Sequence, residues 1–343
     1  MPFICGMKRI WIIGLLFLAA CASDEIKRDR FFLQGNEALN NRDYRSAIDY
    51  YTRAINLDKD FARAYNNRGV AQIESGHTYE AIQDYNLALG LDPEYQDALF
   101  NRAYAYEEVG RIDDALGDVA QVKLKYPDSA YVYFYEGLLQ SKLRLYDESF
   151  ISFQKAAELD PMNEEIDINL ATLLYFKEEL DSAKVLLMDV LRVNPQQLNA
   201  LNTLSQLYLK EGDVQNSLIT IDRAIQLQPS DPYLLNNRGQ IYLEMGDLEK
   251  GLEDINKSIL QDPENLWAYR NKGIYYLLKG NADDAIRLLE KAVSKRELVD
   301  EVHSYLGQAY QLKEDMATAC EQWKLGLEMK ESRSKKLYAE NCE

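Results

Sequence analysis

Small and bulky apolar residues recur along this chain with a stride of 34 residues. Gly35, Gly69, Ala103, Gly137, Ala171, Ser205, Gly239, Gly273 and Gly307 form one series. Ala47, Ala81, Ala115, Ser149, Ala183, Ser217, Gly251, Ala285 and Ala319 form a second, twelve residues behind the first. Four places later stand Tyr51, Tyr85, Phe153, Leu187, Ile221, Ile255, Leu289 and Trp323, and three further on Ala54, Ala88, Ala156, Ala224 and Ala292. Steps of three and four keep side chains on one helix face. The pattern predicts two antiparallel helices per period, drawn together by a small residue on each and packed around that contact by larger ones. Pro93, Pro127, Pro161, Pro195, Pro229 and Pro263 close the second helix, because proline lacks an amide donor and disfavours helix in the residue before it. Lys59 and Glu297 replace proline in the first and eighth periods, where looser junctions are expected. No segment reads as strand.

With nine periods and no insertion, residues 28–333 resemble the tetratricopeptide repeat family. The resemblance implies an all-α, right-handed superhelical solenoid of nine antiparallel helix hairpins with one curved inner surface. Each hairpin is apolar on both faces and needs its neighbours to complete it. Residues 334–343 are expected to form a C-terminal capping helix, with Leu337 and Tyr338 over the last apolar face.

Ahead of the repeats, Lys8-Arg9 precedes an apolar run from Ile10 to Ala20 that ends in Leu18-Ala19-Ala20-Cys21. A run this short does not span a bilayer as a helix but suits the apolar core of an export signal. Small residues before a Cys resemble the bacterial lipobox, which implies cleavage before Cys21 and its lipidation. A plain signal peptide, or a buried helix with an incidental Cys, are the other readings. The layout is then a signal peptide over 1–20, a lipidated Cys and tether over 21–27, and the repeats; either Met1 or Met7 serves as the start. Six extended tether residues reach at most about 20 Å, which holds the first repeats near the membrane. Ala22 in place of Asp implies, by the same resemblance, the outer membrane. Ser23-Asp24-Glu25 loosely resembles the acidic tag that sends some Bacteroidetes lipoproteins to the cell surface.

The formal charge is −17, and loss of a leader carrying Lys8 and Arg9 takes it to −19. Such a surface repels phosphate backbones, so nucleic acid is not an expected partner, and membrane contact is expected through the anchor. Cys320 and Cys342 remain after cleavage. In an oxidising compartment they are expected to form a disulfide worth roughly 3 kcal/mol; two free thiols or a metal site are the alternatives. His77 and His303 stand in no arrangement with Cys, Ser or carboxylates, and no phosphate-cradling glycine loop is present. Neither catalysis nor a cofactor is expected.

With periods counted from residue 28, the family resemblance assigns the inner surface to positions 2, 5, 6, 9, 12 and 13. Asn67, Asn101, Asn169, Asn237 and Asn271 hold position 6, and an amide that both donates and accepts suits the backbone of an extended peptide. The other reading is that Asn there is ordinary repeat consensus. Periods three to five add Phe100, Tyr104, Tyr131, Phe134, Tyr135, Leu138, Ile168, Tyr175 and Phe176. Aromatic clusters of this kind dominate interface hot spots, so a partner-binding patch is expected, although a slip of one position would turn several into the core. The Lys and Arg of a carboxylate clamp are absent; Phe32, Asn66 and Asp97 stand there, so an acidic C-terminal tail is not an expected ligand. The expected function is an outer-membrane-anchored scaffold that recruits envelope proteins or peptides. A structural accessory subunit of a secretion, pilus or assembly machine, without peptide recognition, is the alternative.

Overall fold

The computed structural model describes residues 7–293 and 299–342, with side chains from Asp24 onward. The chain forms two compact units, Met1–Arg144 and Leu145–Glu343. In the first unit lie α1 (Met7–Asn40), α2 (Tyr44–Leu57), α3 (Ala62–Glu74), α4 (Thr78–Leu91), α5 (Gln96–Glu108), α6 (Ile112–Lys125) and α7 (Ala130–Lys142). The second unit begins with α8 (Tyr146–Leu159), α9 (Glu164–Phe176), α10 (Leu180–Val193), α11 (Leu198–Lys210), α12 (Val214–Leu227) and α13 (Pro232–Glu244). It continues with α14 (Leu248–Gln261), α15 (Leu266–Leu278), α16 (Ala282–Ala292), α17 (Val302–Leu312), α18 (Met316–Glu328) and α19 (Ser332–Asn341). Among the described residues there is no strand, and no helix is long and apolar enough to cross a membrane.

The helices pair through the small residues. A Cβ on Gly69 would lie 2.6 Å from the Tyr85 ring, so α3 and α4 close on each other only because no side chain intervenes. In α13 and α14 the backbones themselves touch: a Cβ on Gly251 would come within 3.0 Å of the Gly239 carbonyl oxygen. Ser205 and Ser217 hold both small places between α11 and α12 and donate to each other's carbonyl oxygens at 3.0 and 2.8 Å. The bulky series fills the remaining space, with Tyr51, Leu187, Ile221, Ile255, Leu289 and Trp323 fully buried.

Two terminators recur. The first helix of each pair ends on a left-handed residue, as at Gly76 (φ 78°), where His77 N–H bonds back to the Gln72 carbonyl. The second ends on an extended residue, as at Asp92, with Pro93 after it. The first junction is formed like the others although Lys59 replaces proline. Asp58 is extended there, returns its N–H to the Ala54 carbonyl and accepts Arg28 at 2.7 Å, so the looseness expected at Lys59 is not found. Glu297 lies outside the described residues. Residues 22–27 continue α1, and at helical rise six residues cover about 9 Å, inside the roughly 20 Å that a fully extended tether allows.

Arginine staples join three helices at a time. Arg68 makes a bidentate pair with Asp84 (2.7 Å twice) and donates to Thr52 of the preceding second helix at 3.0 Å. Arg102 bridges Asp118 and Asn86 in the same way, and Arg238 bridges Asp254 and Asp222. The hydrogen bond to Asp254 is the main cause that raises the Arg238 pKa.

Candidate protein-binding site

First helices carry the candidate site in both units. In the first unit, the amide of Asn67 donates to Asn36 at 2.9 Å, and that of Asn101 donates to Asn66 at 3.0 Å. These residues therefore clip neighbouring first helices together. The second unit repeats the device: Asn237 donates to Asn202 at 2.7 Å and Asn271 to Asn236 at 2.9 Å. Asn271 is fully buried and also accepts two hydrogen bonds from Arg270, which corrects its expected role as a peptide contact. Asn169 spends its amide on the Glu165 carbonyl of its own helix, at 2.8 Å.

The aromatic cluster divides in a similar way. Tyr131 and Tyr104 stand 61% and 47% exposed on the first unit. Half-buried Phe100 lies between Tyr131 and Tyr135, its centroid 5.3 and 5.2 Å from theirs. Tyr135 is buried, and its hydroxyl donates to Glu107 at 2.7 Å; burial, then that carboxylate, raises its pKa. Leu138 packs against the core. Phe134 and Ile168 are buried as well, so Phe134, Tyr135 and Ile168 do not offer the open contact surface expected of them. For Phe134 and Ile168 the reason holds at position 5 in seven of the nine repeats, with Phe100 and Asn202 half-buried there. Phe32, Asn66, Phe134, Ile168, Asn236, Arg270 and Ser304 all hold that place and all are buried. Position 5 meets the next first helix, as the bonds of Asn66 to Asn101 and of Asn236 to Asn271 show.

In the second unit, α9, α11, α13, α15 and α17 enclose a cavity of about 520 Å³. Tyr175 and Phe176, both expected in the site, form one wall, packed edge to face at 5.3 Å. Desolvation pushes the Tyr175 pKa up to about 12. Phe176 also stacks on Tyr146 at 5.9 Å. The cavity is also lined by Tyr233, Trp267, Arg270 and Tyr305. The Arg270 guanidinium lies 4.9 Å over the Trp267 ring, donates to the Asp300 carbonyl at 2.9 Å and reaches Gln240 at 3.3 Å. Buried Gln206 Nε2, also in the lining, has no hydrogen-bond partner. Tyr233, Trp267, Arg270, Gln206 and Gln240 sit at positions 2, 5 and 9, inside the frame that the repeats define. Sequence reasoning passed over them because it looked for the densest run of aromatics, and theirs are spread one per helix.

At the C-terminal end α19 packs on α18, and a disulfide joins Cys320 to Cys342 with the Cα atoms 5.8 Å apart. The buried Glu331 carboxylate accepts from the His303 and Ser304 amides at 3.1 and 2.9 Å, capping the start of α17. Cys21 lies outside the residues whose side chains are described.

Comparison with known proteins agrees with this architecture. One tetratricopeptide repeat profile matches residues 32–96, 72–122, 100–164 and 168–232, and a second profile of the same description matches 204–268. The chain is similar to human small glutamine-rich tetratricopeptide repeat-containing protein beta, 41% identical over 56 residues, which are 16% of this chain and 18% of that protein. It thus spans less than a fifth of the length of that curated relative. Three solved structures share the fold. The human IFIT1 dimer with m7Gppp-AAAA gives a TM-score of 0.56 at 20% identity, over 81% of this chain and 70% of that one. The Cut9-Hcn1 hetero-tetramer of APC/C gives 0.53 at 14% identity, over 92% and 76%. PilF of Pseudomonas aeruginosa gives 0.51 at 19% identity, over 62% and 96%. The fold is that of a protein-interaction scaffold. With well over half of its residues matched by the repeat profiles and its helices paired at the same stride, the chain belongs to the tetratricopeptide repeat family.

Proposed function

We propose that this chain is a lipid-anchored scaffold of the bacterial cell envelope, held at the outer membrane through Cys21, that gathers envelope proteins on its first-helix surface. The observation that carries the binding role is the pair Tyr104 and Tyr131, 47% and 61% exposed on the first unit, whose other first-helix aromatics are buried or half-buried. Folding gains little from rings left in water, whereas interfaces draw much of their affinity from them. The anchor is supported by the small residues before Cys21 and by the basic and apolar segments ahead of them. A disulfide between Cys320 and Cys342 suits an oxidising compartment.

Mild crosslinking and purification of the tagged full chain from its bacterial host tests both parts. Replacing Tyr104 and Tyr131 together with Ala is expected to leave helicity unchanged and to cut recovery of the partner at least tenfold. Cys21→Ser is expected to move the chain from the membrane fraction to the soluble one. Undiminished partner recovery contradicts the binding surface, and a Cys21→Ser chain that stays in the membrane contradicts the anchor.

A further inference from the structure

The last helix, α19, is polar and is held at its two ends. Of its ten residues only Ser334 is buried, with Leu337 and Tyr338 half-buried. A helix this short does not keep its shape in water unaided. At its start, Glu331 accepts from the Ser334 hydroxyl at 2.7 Å, besides the two α17 amides it caps. Ser334 packs so closely on Gly326 of α18 that a Cβ there would collide with its hydroxyl. At its end, Cys342 is bonded to Cys320 of α18. Among the described residues, one N–H donor from another helix reaches the last turn, Gln311 to Asn341 at 3.4 Å. The disulfide is the main tie on that end.

The first turn of α19 reaches the cavity of the second unit. The Ser332 hydroxyl and the Arg333 amide donate to the Glu301 carboxylate at 3.1 and 3.2 Å, and the Arg333 guanidinium lies 4.7 Å over the Tyr305 ring. Glu301 and Tyr305 both line the cavity. Glu301 also takes left-handed backbone, φ 58°, which disfavours a residue with a Cβ and needs support from its surroundings. Glu331 adds to that support by holding the His303 and Ser304 amides that follow. In this way α19 braces the stretch of cavity wall where α17 begins.

We propose that the Cys320–Cys342 bridge is a redox-sensitive strap on this cavity. Closed, it holds α19 on α18 and keeps the wall at Glu301 and Tyr305 fixed. Opened, it releases the last two turns of α19, and the brace on α17 loosens with them. The opening reaction is reduction by a dithiol. One donor thiolate attacks a bridging sulfur and breaks the S–S bond, which gives a mixed disulfide; the donor's second thiol then displaces that sulfur. Cys320 and Cys342 end as thiols carrying the donor's two protons, and the donor ends as a disulfide. Both cysteines are half-buried and not enclosed in the core, so a thiolate can approach them. Stacked repeats contact only their neighbours, which confines the loosening to the C-terminal end. The strap goes beyond the scaffold reading and holds whether or not Tyr104 and Tyr131 carry the partner.

Hydrogen-exchange mass spectrometry on the purified full chain tests it, with the bridge intact, after dithiothreitol, and in a variant combining Cys320→Ser with Cys342→Ser. Opening the bridge is expected to speed exchange over residues 335–341 about tenfold and at the His303, Ser304 and Tyr305 amides about threefold, with α3 and α4 unchanged. Oxidised glutathione, added once dithiothreitol is removed, is expected to restore the slow exchange at both places. The reduced chain carries the test alone if the double variant does not fold. Unchanged exchange over 335–341 overturns the proposal. So does a rise confined to 335–341, which would leave α19 without a hold on the cavity. An equal rise in every helix overturns it too, because the bridge would then be a general staple.

Discussion

Nine residues at position 15 take left-handed backbone, with φ between 55° and 80° from Arg42 to Glu314. Gly76, Gly110, Gly212, Gly246 and Gly280 do so without steric cost, but Arg42, Arg144, Glu178 and Glu314 carry a Cβ into a conformation that disfavours it. Among the described residues the one ion pair of Glu178 is a 3.8 Å contact with Lys210, and its side chain is 66% exposed, so little is lost with it. Glu178→Gly is therefore expected to stabilise the chain by about 1 kcal/mol and raise Tm by about 2 °C in calorimetry. A lower Tm would show that the turn is not strained. The glycine stride at this position is legible in five repeats, whereas Arg and Glu in the other four have no turn signature to read. Position 5 was harder still. Asn66 and Phe134 look like surface contacts when repeats are viewed singly, and only stacking of neighbouring first helices buries them.

Between elements, packing and charge have separate tasks. The small-to-large contacts, legible from stride alone, set how closely two helices approach. The arginine staples fix how a pair sits on the pair before it, and they were not legible: Arg238 and Asp254 are sixteen residues apart and look like ordinary surface charge. The Asp254 side chain is 4% exposed. Arg238→Ala leaves that carboxylate buried and unpaired, which is expected to cost about 3 kcal/mol in denaturant unfolding. A loss under about 1 kcal/mol would mean that water or Lys257, 3.8 Å away, takes over the pairing.

For the whole molecule, repetition made the fold readable and left the site only partly so. One hairpin's rules apply along the chain, and a 34-residue stride is enough to find them. Binding surfaces depend on where individual repeats depart from those rules. Tyr131 and Tyr104 were found because they cluster, whereas Tyr233, Trp267 and Arg270 converge only when α13, α15 and α17 enclose a common space. The central claim is that partners bind the first-helix surface and not the second-helix surface. A photo-crosslinking amino acid placed in turn at Tyr131, Tyr233 and Ile151, each at least half exposed, tests it in the living host. Adducts to a protein partner from Tyr131 and Tyr233, with none from Ile151 on α8, are the expected result; adducts from Ile151 with none from the two tyrosine positions would contradict it.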